Sequence, residues 1–248
     1  MPTVAARVTA IGERLADAPW PNHEYFRGWG VFGLPFHSGH VLALRVVPEN
    51  SFAPYRTVWH RDPEGRWSIF ADATRLDIAC PRYYGPACHY AGHARIGVEW
   101  TSATTLRITV DQPSLDWTLS VRASPTLAII NAVSAVLPLA SWRPGPLVRA
   151  RERIAHALGM GDLTLFGTFP SGHVGTLMPK RMYYVDRSQA TLDGLDLGRP
   201  TRVDTNPMIG DVPLPARGVL VIGQAMLKIR DPEEFRRVRA LAITKERL

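Results

Sequence analysis

Apolar and polar positions follow a period of two through most of the first half of the chain. From Gly28 to Val47 (GWGVFGLPFHSGHVLALRVV) two apolar runs flank Ser38-Gly39, and glycine supplies the positive φ that tight hairpin turns need. Pairing about a two-residue turn sets His37 against His40, Phe36 against Val41 and Pro35 against Leu42. Opposed residues share a face, so Trp29, Val31, Gly33, His40, Leu42 and Leu44 form one side. Phe32, Leu34, Phe36, Val41, Ala43 and Arg45 form the other. Both sides are largely apolar, which predicts that both are covered. A second hairpin runs from Tyr55 to Arg61, through a type I turn at Asp62-Pro-Glu-Gly65, into Arg66 to Asp72. Residues 95–101, 105–110 and 115–121 read as three more strands.

The period then changes. Ser124 caps a helix with Pro125 at its first position, expected to run to about Pro138, and a second helix spans 146–158 with Gly159 as its stop. Strands resume at 163–169, 174–179, 181–186, 189–195 and 218–229. Asp231-Pro-Glu-Glu then opens a closing helix. At the other end, residues 3–16 suit an amphipathic helix that Ala18-Pro-Trp-Pro-Asn22 terminates. Residues 80–93, rich in Pro, Gly, Tyr and His, read as a long loop.

One part of the pattern comes back. Phe36-His-Ser-Gly-His-Val41 is echoed by Phe169-Pro-Ser-Gly-His-Val174, each after a Phe-Gly pair, Phe32-Gly33 and Phe166-Gly167. The expected fold is mainly β, as two consecutive related halves joined by a helical segment. The expected organisation is 1–22 helix and linker, 23–122 N-terminal β-barrel, 123–160 helical connector, 161–230 C-terminal β half and 231–248 C-terminal helix.

Composition narrows the function. The chain has 248 residues, enough to bury a large core. Its net charge is +7, and only Lys180, Lys228 and Lys245 among the 29 basic residues are lysine. A basic balance favours anionic partners, but the arginines are scattered and no nucleic-acid module is present, so nucleic acid is not an expected partner. The two cysteines, Cys80 and Cys88, and an N-terminus without a basic segment and apolar run point to a cytoplasmic protein with reduced thiols. Between Arg122 and Arg143 no residue is charged, a stretch near the length of a membrane span. Ser124, Pro125, Asn131, Ser134 and Pro138 interrupt it, which favours a buried helix, and membrane contact is not expected.

Gly28-Trp-Gly30 leading into the first strand, the two Ser-Gly-His-Val hairpins, and Trp59-His-Arg-Asp62 with Gly65-Arg-Trp67 resemble the two-domain lipocalin-like proteins, which include carotenoid hydratases and lipocalin-type Diels-Alderases. The resemblance spans roughly residues 25–229. It implies a barrel cavity for a polyene, isoprenoid or polyketide, with no metal and no redox cofactor. Cyclisation, isomerisation or hydration would be the reaction. A non-catalytic carrier of a hydrophobic molecule and a membrane-peripheral structural protein are the alternatives.

Candidate proton-transfer groups are His40, His60, Asp72 and Tyr84. Histidine titrates near neutral pH, and a carboxyl among apolar neighbours is raised toward that range. Alternation puts His60, Ser68 and Asp72 on one face. The bland readings are a wet rim for the turn histidines and a solvated strand end for Asp72. Trp29, Gly33, Leu42, Tyr55, Trp59, Trp67 and Tyr83 are candidate ligand contacts, the glycine leaving room beside aromatic walls. Tyr84 and Tyr83 would add a phenol at the cavity. Cys80, Cys88, His89 and His93 are metal-ligand types, but the close cysteine pair of zinc sites is missing, so no metal is expected. Nucleotide-binding and hydrolase motifs are absent.

Overall fold

The structure, a computed structural model, describes residues 2–245. Thr3 caps a short helix, α1 (Val4–Thr9), its Oγ1 accepting from Ala6 N. The helix does not continue to residue 16. After Gly12 the chain extends as β1 (Arg14–Leu15), parallel to Glu49–Asn50, because Arg14 reaches the buried Glu49 carboxylate at 3.0 Å.

The period-two segments form β2 (His23–Pro35), β3 (Val41–Asn50), β4 (Tyr55–Arg61) and β5 (Trp67–Asp72), an antiparallel meander. The expected loop after them holds a helical turn, α2 (Pro81–Tyr84), and a strand, β6 (Tyr90–His93), parallel to β5. Then come β7 (Ile96–Trp100), β8 (Thr105–Val110) and β9 (Leu115–Arg122), as the alternation predicts. The helical connector is α3 (Pro125–Val136) and α4 (Pro146–Ala155), with Gly159 in the left-handed region at φ 77° ending the second.

After β10 (Phe166–Thr168), the three expected strands between 174 and 195 are one strand of 19 residues, β11 (Val174–Leu192). Its register shifts at Pro179/Arg181 and Val185/Arg187 let it bend without turning back. Short segments β12 (Leu195–Asp196), β13 (Met208–Ile209) and β14 (Val212–Pro213) precede β15 (Val219–Lys228). The closing helix α5 (Pro232–Lys245) starts as expected, with Asp231 Oδ1 accepting from Glu233 N and Glu234 N.

Apart from the separate β13–β14 hairpin, these strands make one large sheet whose main order is β6-β5-β4-β3-β2-β15-β11-β9-β8-β7. The order does not divide into two consecutive barrels. Strands β15 and β11, from the second half, lie between β2 and β9 of the first. The sheet curls until its ends approach: Ala94 N donates to Ala71 O at 3.0 Å, and Arg56 Nη1 to Ile96 O at 3.2 Å. The sequence repeat survives as local geometry. Phe36 N donates to His40 O and Phe169 N to His173 O, with Gly39 and Gly172 at φ 84° and 79°. The first turn is therefore one residue longer than expected, and Pro35 pairs with Val41 rather than Leu42.

Both faces are covered. Val31, Leu34, Leu42, Leu44 and Val58 meet Leu106, Ile108, Trp117 and Leu119 inside the curl, a core filled by side chains. On the other face Phe26, Val41, Ala43, Val47, Trp59 and Ile69 pack beneath α2, the β13–β14 hairpin and α5. A bulge between Val31 and Leu34 moves Leu34 and Phe36 to the face of Leu42, opposite to the side the alternation assigns them.

Candidate functional site

A cavity of about 380 Å³ lies on the second face, between the sheet and its helical cover. Its inner end is built on β2, β3 and β4 by Phe32, Arg45, Tyr55 and Trp59, and closed by Cys80, Tyr83 and Tyr84 around α2. Its outer end is lined by Ile129, Ile130 and Val133 of α3 and by Ile154 of α4. Ile129 and Ile154 are exposed, so the cavity opens to the surface between these helices.

Arg45 is the unusual member. It sits mid-strand in Val41-Leu-Ala-Leu-Arg-Val-Val47, where alternation turns it to the same face as Ala43, and it is only 8% exposed. Its guanidinium donates to Val31 O at 2.7 Å and Leu44 O at 3.0 Å, and stacks 3.7 Å from the Phe32 ring centroid and 4.6 Å from that of Trp59. Among the described residues no carboxylate pairs with it. Burial lowers its pKa, while Tyr84, Cys80 and Tyr55 act to raise it; an arginine remains cationic under such a shift. Burying an ion without a counter-ion costs several kcal/mol, which carbonyl hydrogen bonds and ring stacking offset only in part.

Beside this cation stand neutral acids. Burial pushes the Tyr84 phenol up, against the pull of Arg45, and pushes the Tyr55 phenol well up too. The Tyr84 hydroxyl has no hydrogen-bond partner among the described residues. The Cys80 thiol is raised by burial, accepts from Thr57 Oγ1 at 3.3 Å and lies 3.9 Å from the Tyr55 hydroxyl. Trp59 Nε1 also donates to Thr57 Oγ1, at 2.9 Å, and its ring meets Tyr84 edge-on at 4.5 Å. The inner end thus offers a fixed positive charge and an uncommitted O–H donor to whatever fills an otherwise apolar space.

Tyr83 is committed elsewhere. Its hydroxyl donates to buried Glu24, which also receives Arg82 Nη2 at 3.1 Å, while Arg82 Nη1 reaches Glu234 of α5 at 2.9 Å. This network clamps α2 and α5 over the sheet and holds Tyr84 in place.

Of the sequence candidates, Tyr55, Trp59, Tyr83 and Tyr84 line the cavity, and Trp29 borders it, although its ring packs on Trp100 at 5.7 Å. The others lie elsewhere. Leu42 is in the opposite core, and Gly33 sits beneath Leu214 and Pro215. Trp67 anchors the β13–β14 hairpin through Nε1 to Met208 O, at 2.6 Å. His40 and His60 stack with ring centroids 5.0 Å apart, their Nδ1 and Nε2 hydrogen-bonded at 2.7 Å, on the face away from the cavity. Asp72 shares that face with His60 and Ser68, as alternation predicts, but borders a separate cleft with Arg56 and Glu13. Burial, and then His40, holds His60 at about 4. Arg45 escaped the sequence reading, although a charged residue inside a strand covered on both sides was a readable signal.

Among the described residues no group of three or more His, Cys, Asp or Glu is placed to hold a metal ion. Cys80 and Cys88 are free, Cys88 donating to Tyr84 O at 3.3 Å, and His89 and His93 are exposed. No known protein family, curated protein or solved structure matches the chain. Fold and site together define a mainly β protein with an apolar chamber between a curled sheet and a helical cover.

Proposed function

We propose that the protein binds an extended apolar small molecule, of polyene, isoprenoid or polyketide type, with an oxygen-bearing end seated against Arg45 and Tyr84. The observation that carries this reading is a buried arginine without a carboxylate, beside a phenol without a partner, at the inner end of an apolar chamber. Apolar pockets with a few convergent polar groups are the usual form of small-molecule sites, and polar groups left uncommitted inside one are costly unless a ligand uses them.

The same pair supports catalysis rather than storage alone. An arginine stabilises negative charge developing on a carbonyl oxygen, and a neutral phenol donates it a hydrogen bond, which together draw electrons from a conjugated substrate and favour a cyclisation in which no proton is lost. Aromatic walls at Trp59, Phe32 and Tyr84 would hold the chain of the substrate in one reactive conformer. His40, His60 and Asp72 take no part in this proposal, because they lie outside the chamber.

Native mass spectrometry of freshly purified protein tests the reading. An apolar adduct should be retained, and lost in a double variant Arg45→Met, Tyr84→Phe that still folds. Once the adduct is identified, Tyr84→Phe should bind it and leave it unconverted; if the unaltered protein also returns it unchanged, the protein is a carrier. No adduct, together with no uptake of the anionic aromatic dye anilinonaphthalene sulfonate by the chamber, would refute both forms.

A further inference from the structure

The outer face of the helical connector is apolar where a water-facing helix is ordinarily charged. Only Leu127 and Asn131 of α3 are buried. Asn131 fastens the helix to β11 through both backbone groups of Met182, donating to its carbonyl at 2.8 Å and accepting from its N–H at 2.7 Å. The rest of α3 carries no charge, and Ile129, Val133 and Val136 are 67%, 52% and 81% exposed. On α4, Leu147 and Ile154 are also exposed and share one flank, seven residues apart. Scattered exposed apolar residues are ordinary, but a contiguous set on two neighbouring helices marks a contact surface.

The connector itself is predominantly cationic, with Asp162 as the exposed carboxylate at its end, paired to His156. Between Arg122 and Met160 the chain holds four arginines and a single carboxylate, Glu152. Glu152 is turned inward, accepting from Leu165 N at 2.7 Å. Arg143, Arg149 and Arg153 are exposed, and among the described residues none has a carboxylate partner. Arg149 and Arg153 lie four residues apart on the other flank of α4 from Leu147 and Ile154, so apolar and cationic groups form adjoining stripes. A second copy of this chain would bring like charges together across the contact. A surface of anionic headgroups over acyl chains complements both stripes.

We propose that the α3–α4 face docks on an anionic membrane surface, setting the mouth of the chamber against the lipid. The contact is peripheral: among the described residues no helix is long and apolar enough to cross a membrane. An apolar ligand would then pass from bilayer to chamber between Ile129 and Ile154 without crossing water. The docking does not depend on what the chamber holds, and it is read without any ligand.

Co-sedimentation with vesicles of phosphatidylcholine, alone or mixed with phosphatidylglycerol, tests it on the full chain. The protein should sediment with the mixed vesicles and much less with the neutral ones. Val136→Glu with Leu147→Glu, both exposed and both off the chamber wall, should weaken binding at least about tenfold without changing the melting temperature. Replacing Arg143, Arg149 and Arg153 by alanine should cost affinity for the mixed vesicles on the order of a hundredfold. Failure to sediment with either vesicle would overturn the proposal, as would unaltered sedimentation of the glutamate variant. A concentration-dependent dimer in ultracentrifugation that Val136→Glu dissociates would assign the face to a second copy instead.

Discussion

Arg45 concentrates the physical tension of the molecule in one side chain. A methionine of similar length would fill its place against Phe32 and Trp59 without a desolvated charge, and replacing buried ionic groups by apolar ones is often neutral or stabilising. Arg45→Met is therefore expected to melt at the same temperature as the unaltered protein or above it, while losing the retained ligand; a large drop in melting temperature would make the arginine structural. Two histidines set a pH limit. His60 and His173 are both held at about 4 against an ordinary 6.5, chiefly by burial, helped by His40 in the first case and by Arg82 and Arg230 in the second. The unfolded chain takes up these protons more readily than the folded one, so stability is complete above about 6.5 and falls as pH drops toward 4. The combined loss should reach about 3 kcal/mol once the partial exposure of both rings is allowed for. Urea midpoints at pH 7 and 4.5 measure it, and a double variant His60→Gln, His173→Gln should flatten the difference; an equal slope in both proteins would remove these rings as its source.

At the scale of elements, α3 shows what local pattern can and cannot say. Ser124-Pro125 as cap and first turn were legible, and the helix begins there, Ser124 Oγ accepting from Leu127 N at 3.2 Å. Its uncharged sequence reads as a buried helix, yet the structure exposes most of it, because β11 offers it only a narrow seat at Leu127 and Asn131. Packing of one leucine and two amide hydrogen bonds hold the helix by a few kcal/mol. Asn131→Ala would leave the Met182 N–H and C=O unpaired and should cost about 2–3 kcal/mol, with new proteolytic cleavage between residues 123 and 145 as the direct readout. Strand β11 is the opposite case. The breaks expected at Lys180 and at residues 187–188 are bulges instead, because the strand exchanges partners near Tyr184, pairing with β15 before it and β9 after it.

For the whole molecule the strand order matters most. Residues 23–122 read as a self-contained barrel, but β2 and β9 are separated by β15 and β11, which supply the hydrogen bonds along both inner edges. An expressed fragment of residues 1–122 should therefore be unfolded by circular dichroism and amide exchange, and co-expression with residues 123–248 should restore the slow exchange of β2, β15 and β11. A stably folded fragment 1–122 would contradict this topology. The sequence by itself determined the elements: alternation, turn glycines and helix caps act between near neighbours, and they place most strands and the closing helix within a few residues. The repeated Ser-Gly-His turn is of the same kind, the same five residues forming the same local hydrogen bonds twice. Tertiary structure alone decided which strands meet, which face holds the chamber and which residues enclose it. Backbone hydrogen bonds between β2 and β15 are chemically alike for any partner, so the choice depends on how the entire apolar surface is buried. One bulge between Val31 and Leu34 then turns Leu34 and Phe36 into the opposite core, while Arg45 stays at the chamber wall.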